Sequence, residues 1–275
     1  MNAKPDQYAV MGNPISHSKS PQIHSLFAAQ TGQHLEYRAI RIELGQFAKA
    51  VDAFRAKGGR GLNITVPFKP DAWVYADILS ARAERAKAVN TLVFHANGEV
   101  FGENTDGVGL VRDLSNNHGF ALKGKRLLLL GAGGAARGVL QPLLSAEPAE
   151  LVIANRTPVK AMELALLFND LGPVVGSSFP DLKGYRFDLI IHATAAGLND
   201  EAPLLPEGIL AEGGWCYDLM YGDKPTAFVR WGSARGAERT LDGLGMLVEQ
   251  AAESFWLWRG VRPETKPVIA LLHQK

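Results

Sequence analysis

Leu127-Leu128-Leu129-Leu130-Gly131-Ala132-Gly133-Gly134-Ala135-Ala136-Arg137-Gly138 is the stretch on which the fold turns. A run apolar at consecutive positions from Arg126 to Leu130 is the pattern of a central strand covered on both faces. It leads directly into G-x-G-x-x-A (Gly131, Gly133, Ala136) and then into a helical pattern over Ala135–Leu144. Such a strand–loop–helix lets backbone N–H groups approach a pyrophosphate, and the helix N-terminus adds a favourable dipole. A Gly-rich turn that merely packs a helix on a sheet is the plain alternative. The expected second strand, Leu151–Ala154, ends in Asn155-Arg156-Thr157, with Lys160 one turn later. An NAD site usually places an acid there, about 20 residues after the glycines, to hold the ribose hydroxyls. Methyltransferases normally want one too. Cationic and hydroxyl donors without an acid suit a 2′-phosphate, although an ordinary basic helix start reads the same way.

Outward from this loop, short apolar runs alternate with amphipathic stretches. Strands are expected at Tyr8–Met11, Leu35–Ile40, Gly61–Thr65, Thr91–His95, Asp188–His192 and Trp215–Leu219. Helices are expected at Pro21–Gln30, Phe47–Ala56, Val108–Leu114 and Val159–Phe168, with a further helical stretch after Leu241 through Gly260. The alternation implies an α/β protein with a mainly parallel sheet. Boundaries fall near Asp106 and Gly243, giving a discontinuous substrate domain, 1–105 plus 243–275, and a dinucleotide domain, 106–242.

Composition excludes several classes. Lys and Arg number 29 against 28 Asp and Glu, which argues against nucleic acid or an anionic membrane as the main partner. One cysteine, Cys216, excludes an internal disulfide and a Cys-rich zinc module. The seven histidines show no metal-ligand spacing, so no metal is expected. No G-x-S-x-G marks a hydrolase. With neither an apolar leader nor a run of about 18 apolar residues, the expectation is a cytoplasmic protein acting on a small molecule. The Asn63-Ile64-Thr65 and Asn155-Arg156-Thr157 glycosylation patterns are discounted on the same ground.

In the first hundred residues, polar groups gather at strand ends. Ser18-Lys19-Ser20-Pro21 opens a helix, where Ser20 is an N-cap with Pro21 at the first helical position, or Ser18 and Ser20 together bind a carboxylate. Asn63 and Thr65 share a face at a strand end, Pro67 reads as the first helical residue, and Lys69 falls in that first turn. There the helix dipole disfavours a cation, which makes Lys69 a candidate for acid–base chemistry rather than a solvated surface lysine. Asp106 or Thr105 is an N-cap or a functional group, and Asn90-Thr91 a structural turn or part of a site.

The whole pattern resembles the shikimate dehydrogenase family. The resemblance is carried by Gly12-Asn13-Pro14-Ile15-Ser16-His17-Ser18-Lys19-Ser20-Pro21, Asn63-Ile64-Thr65-Val66-Pro67-Phe68-Lys69, Ala88-Val89-Asn90-Thr91 and Gly102-Glu103-Asn104-Thr105-Asp106-Gly107. It continues through Gly131-Ala132-Gly133-Gly134-Ala135, Asn155-Arg156-Thr157 and Asp242-Gly243-Leu244-Gly245-Met246-Leu247-Val248-Glu249-Gln250. It implies two α/β domains around a cleft, the second of Rossmann type, and reversible NADPH-dependent reduction of 3-dehydroshikimate to shikimate, towards chorismate and the aromatic amino acids. It implies Lys69 and Asp106 as the catalytic pair, with Ser18, Ser20, Thr65, Asn90, Tyr221 and Gln250 lining the substrate. Gly131, Gly133, Gly134, Ala135, Asn155, Arg156, Thr157 and Lys160 would contact NADP, with Gly243 near the nicotinamide. A broader quinate/shikimate dehydrogenase, or a dinucleotide-sensing protein without catalysis, are the alternatives; the latter should have lost Lys69 or Asp106. The expected state is monomer or homodimer. One departure is visible: His192-Ala193-Thr194 stands where the family commonly has Asn before Ala-Thr, and Ala195 and Ala196 replace small polar residues.

Overall fold

Each strand forms where apolar side chains can be covered, and two sheets result. A computed structural model describes residues 4–194 and 203–274. The chain divides into two compact units, Met1–Gly109 with Leu247–Gln274, and Leu110–Met246. The first unit contains strands β1 (Asp6–Gly12), β2 (Leu35–Arg41), β3 (Gly59–Ile64), β4 (Ile78–Leu79), β5 (Thr91–Phe94) and β6 (Val100–Glu103). Around them lie helices α1 (Ser20–Thr31), α2 (Phe47–Ala56), α3 (Lys69–Tyr75), α4 (Ala81–Ala86) and, at its close, α5 (Asp106–Arg112).

The second unit holds β7 (Arg126–Leu130), α6 (Gly134–Ser145), β8 (Glu150–Ala154), α7 (Pro158–Phe168), β9 (Val174–Ser177), β10 (Phe187–His192), β11 (Leu210–Asp218), α8 (Ala227–Ala234) and β12 (Arg239–Leu241). Helices α9 (Leu244–Arg259) and α10 (Lys266–His273) close the chain.

The first sheet runs β2-β1-β3-β5-β6-β4 and is mixed, with three of its five pairings parallel. β5 is antiparallel to both β3 and β6. For β5 and β6 the cause is local: His95 N–H bonds Glu99 O at 3.0 Å, Gly98 takes φ +94° at the tip, and so short a connection joins only antiparallel strands. Met11, Leu62, Ile64, Phe68 and Leu92 form the centre of this unit's core.

The second sheet runs β12-β11-β10-β7-β8-β9, with every pairing parallel. In β7, Leu127 and Leu129 enter one core cluster while Leu128 and Leu130 enter the other. That division is why the strand is apolar at consecutive positions: both faces are covered. The chain leaves β7 towards β8 on one side and later returns with β10 on the other. This reversal is where open α/β sheets bind ligands, beyond the carboxyl ends of the strands.

Three local readings need correction. α3 starts at Lys69, not Pro67, because Phe68 N–H closes a turn onto Thr65 O at 3.0 Å and Phe68 is the cap. Ser20 is the first residue of α1, with Lys19 as cap. The expected helix Val108–Leu114 is α5 followed by a π-helical turn, Asp113–Asn117.

Candidate functional site

In the first unit, the start of α3, the entry to β5 and the start of α5 bring their polar residues together. Lys69 Nζ donates to Asp106 Oδ2 at 2.5 Å, with the two side chains 17% and 8% exposed. A cation at a helix start is therefore compensated locally by a carboxylate. Asp106 Oδ1 accepts from Asn90 Nδ2 at 2.8 Å, so the acid is held at both oxygens. Its backbone N–H donates to Asn104 Oδ1 at 3.1 Å. Thus Asn104, rather than Thr105 or Asp106, satisfies the first N–H of α5.

Asn90 is the hub. Its Oδ1 accepts Thr105 N–H at 2.9 Å, its Nδ2 lies 3.2 Å from Gln250 Oε1 on α9, and its carbonyl accepts Ile64 N–H at 2.8 Å. Its own N–H donates to Glu103 O at 3.0 Å, and the adjacent Val89 N–H donates to Lys69 O at 2.9 Å. Asn90 is a structural corner and a member of the polar cluster at once. One neighbour escaped the sequence reading. Ser254 lies one turn beyond Gln250 on α9, and its Oγ accepts from Asn63 Nδ2 at 2.9 Å; Thr91 Oγ1 lies 2.8 Å away. Asn63 itself is spent internally, also accepting from Tyr37 O–H at 2.7 Å.

Thr65 sits just past β3, its N–H on Met11 O at 2.9 Å. Its methyl lies where a Cβ on Gly12 would come to 2.4 Å, so only glycine admits this approach of the first motif to the second. Ser18 is half-buried, and its Oγ accepts Ser20 N–H at 3.3 Å; Ser20 is buried at the head of α1. Tyr221 belongs to the second unit, in the segment after β11. Lys69, Asp106, Asn90 and Gln250 form one hydrogen-bonded group in the first unit. The ammonium retains donors beyond the one on Asp106 and can exchange a proton with a bound oxygen.

The second unit's site is a backbone cradle. Gly131 has φ +114°, which disfavours any side chain, and its N–H bonds Ala154 O at 2.8 Å. A Cβ there would come 2.9 Å from Ala193 O. At Gly133 and Gly134 a Cβ would meet open space. Glycine is therefore not demanded there by the protein's own packing, as it would be at a surface kept clear for a close ligand. Gly134 and half-buried Ala135 open the twelve-residue α6, whose first N–H groups have no helical partner. At the end of β8, Asn155 Nδ2 donates to Thr157 O at 3.0 Å, while Arg156, Thr157 and Lys160 are exposed. Thr157 caps α7 without using its hydroxyl as a cap acceptor. The donor set, an open glycine turn with a basic and hydroxylic rim and no acid, fits a dinucleotide bearing a 2′-phosphate. Gly243 is fixed by packing: a Cβ would fall 2.2 Å from Leu219 O.

His192 closes β10, wholly buried. Nδ1 lies 3.1 Å from Asp218 Oδ1, and Nε2 lies 2.6 Å from Thr194 Oγ1. Ala195 and Ala196 lie outside the described residues. Cys216 is buried in the sheet, and burial pushes its thiol up to about 12. Among the described residues no helix is long and apolar enough to cross a membrane, and no group of His, Cys, Asp or Glu is arranged to hold a metal.

Comparison with known proteins agrees with this geometry along the chain. Residues 10–92 match the shikimate dehydrogenase substrate binding domain, 113–200 the shikimate / quinate 5-dehydrogenase family, and 243–273 the shikimate 5′-dehydrogenase C-terminal domain. Shikimate dehydrogenase (NADP(+)) of Nitrosococcus oceani is 57% identical, covering 98% of this chain and 96% of its own. The solved Ael1 enzyme of Pseudomonas putida superposes with a TM-score of 0.91 at 48% identity, covering 97% of this chain and 98% of its own. Shikimate 5-dehydrogenase of Thermus thermophilus, solved with NADP(H) and shikimate, gives 0.86 at 34% identity, covering 98% and 99%. A chain matched by these family models in order, and alike over nearly its whole length, belongs to the shikimate dehydrogenase family.

Proposed function

We propose that this protein catalyses the reversible NADPH-dependent reduction of 3-dehydroshikimate to shikimate. The observation that carries the reading is the Lys69–Asp106 pair, held by Asn90 and set among hydroxyl and amide groups. A bound NADPH supplies the hydride. The protein's task is to hold a polyhydroxylated acid and manage one proton. Ketone reduction develops negative charge on oxygen, and Lys69 Nζ delivers a proton to that oxygen; in the oxidative direction it withdraws one. Asp106 fixes the ammonium through Oδ2, while Asn90 fixes Asp106. Ser18 and Ser20 bind the substrate carboxylate at the head of α1, and Thr65, Asn90, Gln250 and Tyr221 complete its recognition. Gly131, Gly133, Gly134 and Ala135 hold the pyrophosphate, Asn155, Arg156, Thr157 and Lys160 the 2′-phosphate, and Gly243 borders the nicotinamide.

The substrate-binding domain in this reading is 1–105 plus 243–275, and the NADP-binding domain 106–242. The cytoplasm is the compartment that suits a biosynthetic step on soluble metabolites, and the protein works as a monomer or homodimer. Shikimate is preferred over quinate, because quinate's extra hydroxyl sits on the carbon bearing the carboxylate and crowds Ser18 and Ser20. The test is to incubate the protein with NADP⁺ and either acid and identify the product by NMR. Formation of 3-dehydroshikimate, with slower turnover of quinate, is the expected result. Comparable rates would favour the broader specificity, and no ketone from either acid would refute the activity.

A further inference from the structure

Glu103, the last residue of β6, carries a buried carboxylate, 6% exposed. Its Oε1 accepts from Ser80 O–H at 2.5 Å, from Asn104 N–H at 2.7 Å and from Arg82 Nε at 3.3 Å, while Oε2 accepts from Arg82 Nη2 at 2.9 Å. Ser80 and Arg82 both come from the head of α4, where Ser80 Oγ also caps the helix by accepting Ala83 N–H at 3.0 Å. A buried ion pair is a weak source of stability, because desolvation offsets the attraction. The specific effect of this one is local: it fixes the backbone N–H of Asn104.

Asn104, itself buried, passes that constraint on. Its Nδ2 donates to Ala88 O at 3.0 Å, and its Oδ1 accepts Asp106 N–H at 3.1 Å. The carbonyl of Glu103 meanwhile accepts Asn90 N–H at 3.0 Å, and Asn90 Nδ2 holds Asp106 Oδ1 at 2.8 Å. Both routes from Glu103 end at Asp106, whose other oxygen holds Lys69 Nζ. A displaced Asp106 would carry the ammonium with it, and a misplacement of about 1 Å can cost a reaction about a hundredfold in rate. We infer that Glu103, braced by Arg82 and Ser80, is a positioning residue that sets the Asp106 carboxylate against Lys69 for the proton step. The inference rests on the reading of Lys69 and Asp106 as the catalytic pair.

The test follows nicotinamide reduction by shikimate and NADP⁺ in a single turnover, with enzyme in excess over NADP⁺. Glu103→Gln sets an amide N–H where the carboxylate met only donors. The rate at saturating shikimate should fall about ten- to a hundredfold. The shikimate concentration for half that rate should change less than about threefold, the pattern of a loss confined to the transition state. Glu103→Asp, which keeps the charge, should recover most of the rate. The deciding comparison is a double-mutant cycle with Asp106→Asn. If Glu103 acts through Asp106, adding Glu103→Gln to Asp106→Asn should lower the remaining rate by less than about twofold. Should Glu103→Gln fail to fold, Arg82→Lys takes its place in the same cycle; it keeps the charge but cannot span both oxygens, so its effect should be smaller and should vanish in the Asp106→Asn background. An unchanged rate, an effect on half-saturation alone, or equal losses in both backgrounds would overturn the inference while leaving the activity standing. A wild-type protein that does not oxidise shikimate would overturn the reading of the site and this inference with it.

Discussion

Lys69 and Asp106 are 37 positions apart in sequence, and no periodicity pairs them. What the sequence does show is a lysine placed at a helix start, where it needs a partner; the partner appears only when α5 is packed beside α3. Replacing Lys69 with Ala should lower kcat at least about a hundredfold, with a much smaller change in KM for shikimate. Steady-state rates on folded variant decide this, and a pure KM effect would reduce Lys69 to a substrate anchor. Arg156 is proposed on a different ground: it stands at a strand end where an acid would repel a 2′-phosphate. Arg156→Ala should cost about 1.5–3 kcal/mol in NADP binding, at least tenfold, and leave NAD nearly unchanged. The polar core around Asn63 and Ser254 was not legible. A serine inside an apolar helix reads as filler until its partner from a distant strand, β3, is seen.

At the scale of elements, glycine roles divide by what surrounds each one. Gly243→Ala would place a Cβ 2.2 Å from Leu219 O, and such overpacking typically costs about 1–3 kcal/mol; the melting temperature should fall. Gly133→Ala meets nothing within 4 Å, so its melting temperature should stay near wild type while NADP⁺ affinity drops. Paired calorimetric and thermal measurements check both, and a destabilised Gly133→Ala would mean the loop glycines serve folding rather than ligand approach. Strands with a strong apolar pattern were legible, β7 over its full length. β4, β6, β9 and β12 were not. They are two to four residues long, too short for a periodic signal, and three of them, β4, β9 and β12, are sheet edges paired on one side only. The mixed order of the first sheet escaped for a related reason, since a hairpin tip at Asn97-Gly98 reads as an ordinary turn between two strands of unknown partners.

For the molecule as a whole, acid stability has a specific weak point in the first unit. His24 is fully buried and stacked on Tyr37 at 4.1 Å. Burial holds its pKa down at about 3, from an ordinary value of 6.5. The unfolded chain therefore binds a proton that the folded one refuses, so stability falls as pH drops from 6.5 towards 3. At pH 5 the loss should be about 2 kcal/mol. His24→Phe should flatten the pH dependence of the melting temperature over that window, and an unchanged slope would show that other groups control it. The proposed division of labour, a proton-handling centre in one unit and a dinucleotide cradle in the other, is read from the strand-end motif that each unit carries. The most direct test of that account is the absorbance of reduced nicotinamide on mixing the purified protein with shikimate and either NADP⁺ or NAD⁺. The account predicts a rise with NADP⁺ whose efficiency exceeds that with NAD⁺ at least tenfold; a folded protein that produces no rise with shikimate and NADP⁺, or equal efficiency with both cofactors, would contradict it.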